Sequence, residues 1–191
     1  GKPARTVKLD GEDAAILKRL QLLTSKPVMF VCNVAESEAA TGNKHTETVA
    51  KLAKEQGATV VVISAAIEAE VAQLAEAAEK QEFLETLGLK ETGLARVIAS
   101  GYALLDLVTF FTVGPKEARA WTVHRGAKAP EAAGVIHTDF EKGFIRAETI
   151  AYPDYVANKG EAGARDAGKL RLEGKDYVVQ DGDIFHFRFN V

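Results

Sequence analysis

The sequence predicts an α/β segment followed by an α+β domain, with the change near residue 107. Two short apolar runs, Val28-Met-Phe-Val-Cys32 and Thr59-Val-Val-Val-Ile63, each end in a polar loop. Continuous runs of this kind read as strands buried on both faces, the usual condition in a parallel sheet. The stretch between them has a helical period, which makes a strand–helix–strand unit with a right-handed crossover. From residue 108 the strand-like runs are rich in Val, Thr, Phe and Trp, and Gly-Pro-Lys separates the first two. That is a hairpin pattern.

Composition sets the outer limits. The chain has 191 residues, 47% hydrophobic and 27% charged, with a formal net charge of −3. That suits one large or two small globular domains and argues against a uniformly basic nucleic-acid coat. No apolar run reaches the length of a membrane span, and the start, Gly-Lys-Pro-Ala-Arg, has no signal-peptide core. A single Cys, Cys32, forms no internal disulfide and reads as a buried small hydrophobe in a cytoplasmic protein.

The elements follow in order. Residues 1–10 read as a polar connector. Residues 11–24 place Ile16, Leu17, Leu20 and Leu23 at amphipathic-helix spacing. Residues 28–31 and 60–63 are expected to pair in parallel, or to flank a further strand. The helix between them spans 46–56 and stops at Gly57. Ser64 is placed to cap a helix carrying Ile67 and Val71. Phe83, Leu84 and Leu87 precede Gly88, and residues 93–105 form a further amphipathic helix. In the second part, residues 108–113 and 118–123 are hairpin strands, and 129–136 a short Ala-rich helix. Thr138-Asp-Phe-Glu141 fits a capping box on a single turn. A strand over 144–152, a short helix over 161–167, and a final strand pair, 177–179 and 184–190, complete a sheet wrapped on a short helix. That is a β-grasp architecture.

Chemistry concentrates where the first two strands end. Asn33 and Glu36 follow the first run, and Ser64 and Ala65 follow the second. Strand ends are where ligands sit in parallel sheets. An Asn carboxamide can both accept from and donate to an adenine edge. Alone, Asn-x-x-Glu reads as an Asn turn followed by a solvated Glu. His137, Asp139 and Glu141 alternate, but the capping box explains them more simply than a metal, and no catalytic nucleophile pattern occurs.

Asn33-Val-Ala-Glu36 with Ser64-Ala65 resembles the base-recognition loops of P-loop NTPases, in a variant where Val34 and Glu36 replace the Lys and Asp of the guanine-selective form. It is joined by Gly101–Thr112, Lys116–Val123, Ala133–Glu148 and Asp181–Val191. Together these resemble the YchF/Obg-like ATPase family over nearly the whole chain. The resemblance implies the C-terminal part of a Rossmann-like P-loop NTPase domain over 1–106 and a TGS domain of β-grasp fold over 107–191. It implies base binding by Asn33, Val34, Glu36, Ser64 and Ala65, with ATP preferred to GTP. The longer Glu displaces the acceptor that reads guanine N1 and N2, so Glu36 weakens guanine selectivity.

No Gly-x-x-x-x-Gly-Lys-Ser/Thr occurs in the chain. The resemblance therefore implies that the phosphate loop and the Mg²⁺ ligands lie outside it, and that these residues alone do not hydrolyse nucleotide. It further implies a cytoplasmic, ribosome- or RNA-associated protein; no membrane partner is expected, and the oligomeric state is left open, with a monomer as the expectation. Arg119, Trp121, Arg146 and Arg188 are the candidate RNA contacts, because Arg and aromatic side chains on a sheet bind phosphates and stack on bases. The rival expectation is a stand-alone RNA- or ribosome-binding module, or a sheet face of solvated ion pairs.

Overall fold

The computed structural model describes residues 1–190; Val191, the end of the closing segment 181–191, lies outside the described residues. The chain divides into two compact units, Gly1–Leu105 and Asp106–Val191.

In the first unit, β1 (Met29–Asn33) and β2 (Thr59–Ile63) pair directly and in parallel, with Asn33 opposite Ile63. The crossover helix α2 (Lys44–Gln56) packs on both strands. It starts where Asn43 accepts from the N–H groups of His45 and Thr46, and ends where Gly57 turns left-handed at φ 63°. Glycine suits that turn because it has no Cβ to clash.

Helices α3 (Ala65–Gln73) and α4 (Ala77–Thr86) bury Ile67, Val71 and Leu84 with Leu89 and Ala39. Helix α5 (Gly93–Leu104) packs on β2. A Cβ at Gly93 would stand 2.8 Å from Ile63, so only glycine admits this approach.

Two expectations need correction here. The helix over 11–24 is shorter: α1 is Gly11–Arg19, and Gln21 beyond it has φ 48°. It buries no residue, and Leu23, in a separate one-turn 3₁₀ helix, is 81% exposed. The strands are not buried on both faces either. Val61 is buried, but Val31 is 45% exposed, and among the described residues the sheet has two strands.

The second unit is a five-stranded mixed sheet. Its strands are β3 (Leu107–Val113), β4 (Ala118–His124), β5 (Phe144–Ala151), β6 (Arg171–Glu173) and β7 (Asp183–Phe189), in the order β4-β3-β7-β5-β6. β3 and β7 run parallel and the other pairs antiparallel. Period-two alternation puts Phe110, Phe185, Phe187 and Ala147 on one face. There α6 (Ala129–Ile136) covers them with Ala129, Ala132 and Ala133, all fully buried. Small residues on that helix let it approach the Phe layer closely.

The short α7 (Thr138–Lys142) continues that cover, and Phe140 stacks on Phe189 at 3.9 Å. The opposite face buries Ile150 and Ile184 beside Tyr155 of α8 (Tyr152–Ala157). A further short helix, α9 (Glu161–Asp166), follows.

The expected strand at 177–179 is only a single bridge, Lys128 to Val178. The strand that extends the sheet is β6, three residues of charged sequence without an alternating apolar signal. Tyr152 ends no strand but opens α8, where Pro153 occupies the first turn, a position that needs no N–H. The α7 turn is capped by the His137 ring, which accepts from the Asp139 N–H, and not by a Thr138 box.

Candidate functional site: two strand-end loops

Because Asn33 and Ile63 are register partners, the loops after β1 and β2 leave the sheet side by side. The Val34 N–H donates to the Ile63 carbonyl at 2.9 Å, prolonging the ladder by one step. The Asn33 carboxamide oxygen accepts from the Ala65 N–H, also at 2.9 Å. The first turn of α3 is thereby tied to the end of β1.

Ser64 is the N-cap of α3 by position, and its carbonyl accepts from the Glu68 N–H at 3.1 Å. Its hydroxyl is buried and makes no hydrogen bond, so the expected side-chain cap is not formed. The Ala65 N–H, expected to face a ligand, is instead taken by Asn33. With the Asn33 oxygen engaged, its NH₂ group is the part left to meet a ligand acceptor. Val34 is half-buried. Glu36 opens a one-turn 3₁₀ helix, Glu36–Glu38, and is exposed, so its carboxylate stands in solvent as an acceptor.

Two supporting residues have no counterpart among the sequence expectations. Glu68 accepts from the Gly93 N–H at 2.6 Å and the Leu94 N–H at 3.1 Å. It joins the helix behind Ser64 to the start of α5. Asn43 donates to Glu38 at 2.9 Å while capping α2, which holds the loop after Glu36. Asn43 at a helix start was a legible signal. Nothing local marks Glu68, whose partners lie 25 and 26 residues away.

The four candidate RNA residues do not share a surface. Trp121 is opposite Phe110 and Arg119 opposite Thr112, on the face that carries Phe185. Arg146 and Arg188 pair with each other on the other face. Arg119 lies over the Trp121 ring at 4.0 Å, and the indole N–H donates to Thr112 Oγ1 at 2.8 Å. Arg188 is bidentate to Glu148, at 3.0 and 3.2 Å. That bond holds the Glu148 carboxyl below its ordinary range.

Glu148, Glu161 and His186 bring possible ligand atoms within 4.8 Å of one another. Arg188 already holds Glu148 and Arg165 holds Glu161, so a cation there would have to displace two guanidiniums.

A buried polar network fixes β7. Asp183 accepts from the Tyr177 hydroxyl at 2.8 Å and the Gln180 N–H at 2.9 Å, with Arg171 at 3.5 Å. Burial pushes the Asp183 carboxyl up, against the pull of these partners. Burial and then the Asp183 bond push Tyr177 up to about 12.

Comparison with known proteins is specific. Residues 107–190 match the family model described as "YchF-GTPase_C: Protein of unknown function (DUF933)". The chain is 55% identical over 192 aligned residues to the ribosome-binding ATPase YchF of Bacillus subtilis, covering 100% of this chain and 52% of that protein. It is 58% identical to the ribosome-binding ATPase YchF of Haemophilus ducreyi, covering 98% of this chain and 51% of that one. The solved Schizosaccharomyces pombe YchF GTPase superposes with a TM-score of 0.81 at 38% identity, over 98% of this chain and 50% of that chain. The chain thus spans about half the length of the curated relatives it matches. Among the described residues no helix is long and apolar enough to cross a membrane. In sequence and in fold, the chain is similar to YchF proteins over nearly its whole length.

Proposed function

We propose that the chain carries the nucleotide-base recognition loops and the TGS domain of a ribosome-associated, ATP-preferring P-loop NTPase. The observation that carries this reading is the Asn33–Ala65 bond, which fixes two strand-end loops of the required sequence against each other. Asn33 offers its NH₂ group to a purine ring nitrogen. Val34 gives apolar contact to the base, and the Ser64-Ala65 turn shapes the pocket floor. Glu36 stands where an Asp would read guanine N1 and N2, and its longer chain misplaces that acceptor.

No phosphate-loop motif occurs in these residues, so phosphate and Mg²⁺ would be held by groups beyond them, and this chain alone is not catalytic. The relatives named as ribosome-binding ATPases support the ribosome as partner and a cytoplasmic setting. The order β4-β3-β7-β5-β6, with α6 on one face, supports a β-grasp TGS assignment for residues 107–191.

Equilibrium binding of fluorescent ATP and GTP to a protein that includes the phosphate loop tests the base reading. Tighter binding of ATP than of GTP, with both affinities falling on Asn33→Ala, is expected. Equal affinity for both nucleotides, unchanged by that substitution, would overturn it.

A second reading, RNA binding by the second unit, rests on the Arg119–Trp121 stack. Arg146 and Arg188 lie on the other face and are not part of it.

A further inference from the structure

Helix α3 does not fix its own start through a side-chain cap, because the Ser64 hydroxyl is buried and unbonded. Its first turn is joined instead to two other elements. Asn33 takes the Ala65 N–H from the side of β1. From the other side comes Glu68, whose own N–H donates to the Ser64 carbonyl at 3.1 Å. Glu68 therefore stands directly behind the Ser64-Ala65 turn.

The Glu68 carboxylate accepts from the Gly93 N–H at 2.6 Å and the Leu94 N–H at 3.1 Å. Both groups open α5, and the next one, the Ala95 N–H, is taken by the Thr92 side chain at 3.0 Å. A carboxylate set against two N–H groups at a helix start gains from its charge and from the helix dipole. Glycine at 93 is what admits this contact. A Cβ there would stand 2.8 Å from the Ile63 side chain and 2.9 Å from Glu68 Oε1.

Ile63 in turn accepts from the Val34 N–H through its carbonyl. The start of α5 thus bears on both strand-end loops, on one through Ile63 and on the other through Glu68. All these contacts lie within the first unit. α5 ends at Leu104 and β3 begins at Leu107, so the helix that Glu68 holds leads by sequence into the second unit.

We infer that Glu68 is a positioning residue of the base site. Its clamp on α5 sets where the Ser64-Ala65 turn meets Asn33, and it couples occupancy of that site to the start of α5. The inference rests on the base-recognition reading of these loops. Such coupling is reciprocal: a nucleotide that needs the turn in place also steadies the helix start that holds it there.

The test uses the 191-residue chain without nucleotide and a protein that includes the phosphate loop, with ATP as the probe. In the first, Glu68→Ala should speed hydrogen exchange of the Ala65 amide about tenfold, the scale of a lost hydrogen bond to a charged group. The Leu52 and Ala53 amides of α2 should not change. Glu68→Gln keeps an acceptor for the Gly93 N–H and should restore most of the protection. In the second, ATP should slow exchange at Gly93 and Leu94. Glu68→Ala should abolish that response and weaken ATP binding by a similar factor.

An Ala65 amide indifferent to Glu68→Ala would overturn the inference whatever the nucleotide result. So would Gly93 and Leu94 amides that ignore ATP in a protein whose ATP affinity falls on Asn33→Ala. That second outcome needs no Glu68 variant to fold, and it leaves the base-recognition reading standing. ATP affinity unaffected by Asn33→Ala would instead remove that reading, and the role of Glu68 in the site with it.

Discussion

The carboxamide oxygen of Asn33 accepts from the backbone N–H of Ala65 at 2.9 Å, across 32 residues of sequence. One side chain thus joins the end of β1 to the first turn of α3. Asn33→Ala should free the Ala65 amide, and its hydrogen exchange should speed about tenfold, the scale of one net hydrogen bond. Asn33→Asp keeps the acceptor and should leave that rate nearly unchanged. Equal acceleration in both variants would show that the bond does not hold the loop.

Base selectivity offers a separate check. In a protein that includes the phosphate loop, Val34→Lys with Glu36→Asp should move preference from ATP toward GTP. A bidentate base contact is worth about 1–3 kcal/mol, so the affinity ratio should shift by roughly tenfold or more. An unchanged ratio would remove Glu36 from the account of specificity. The 191-residue chain alone should release no phosphate from either nucleotide above a protein-free blank.

The second unit should fold alone. Residues 106–191 contain their own Phe layer, with Phe110 and Phe185 nearly fully buried, and α6 to cover it. Expressed separately, this segment should give dispersed amide signals and a cooperative thermal transition. A collapsed spectrum would place part of its core elsewhere.

Acid should expose the Glu148–Arg188 pair. The Arg188 bond holds Glu148 below its ordinary value of 4.5. A carboxyl depressed on folding stabilises the fold above its unfolded pKa, and this contribution is lost as pH falls through the folded value. Arg188→Leu should therefore lower Tm at pH 7 and lower it progressively less below about pH 4.5. A Tm difference that is independent of pH would mean that packing, not charge, holds Arg188.

RNA binding, if it uses the Trp121 face, should separate the two faces. Arg119→Ala should weaken binding and flatten its salt dependence by roughly 0.7 in the log–log slope for each phosphate no longer neutralised. Arg146→Ala should change neither. Trp121→Ala should weaken binding with the slope kept, because stacking releases no counterions. Its Tm must be measured alongside, since the indole also packs against the core. Equal weakening by Arg119→Ala and Arg146→Ala would point to diffuse charge and not to a stacked site.

Local signals determined much of this protein. The turn at Gly57, the hairpin from β3 to β4 and the helix Ala129–Ile136 were legible because each depends on neighbours a few residues apart. That Asn33 and the Ser64-Ala65 loop follow successive strands was legible as well, but the Asn33–Ala65 bond that joins them was not. Tertiary structure alone decided the rest. β6 has no apolar alternation and exists because β5 offers it an edge. Arg119 and Arg146 look equivalent in sequence, yet sheet register sends them to opposite faces. The burial of Val61 and the exposure of Val31, two residues of similar local pattern, were likewise set by what packs on each. Burial and edge pairing are properties of neighbours distant in the chain, so no local pattern encodes them.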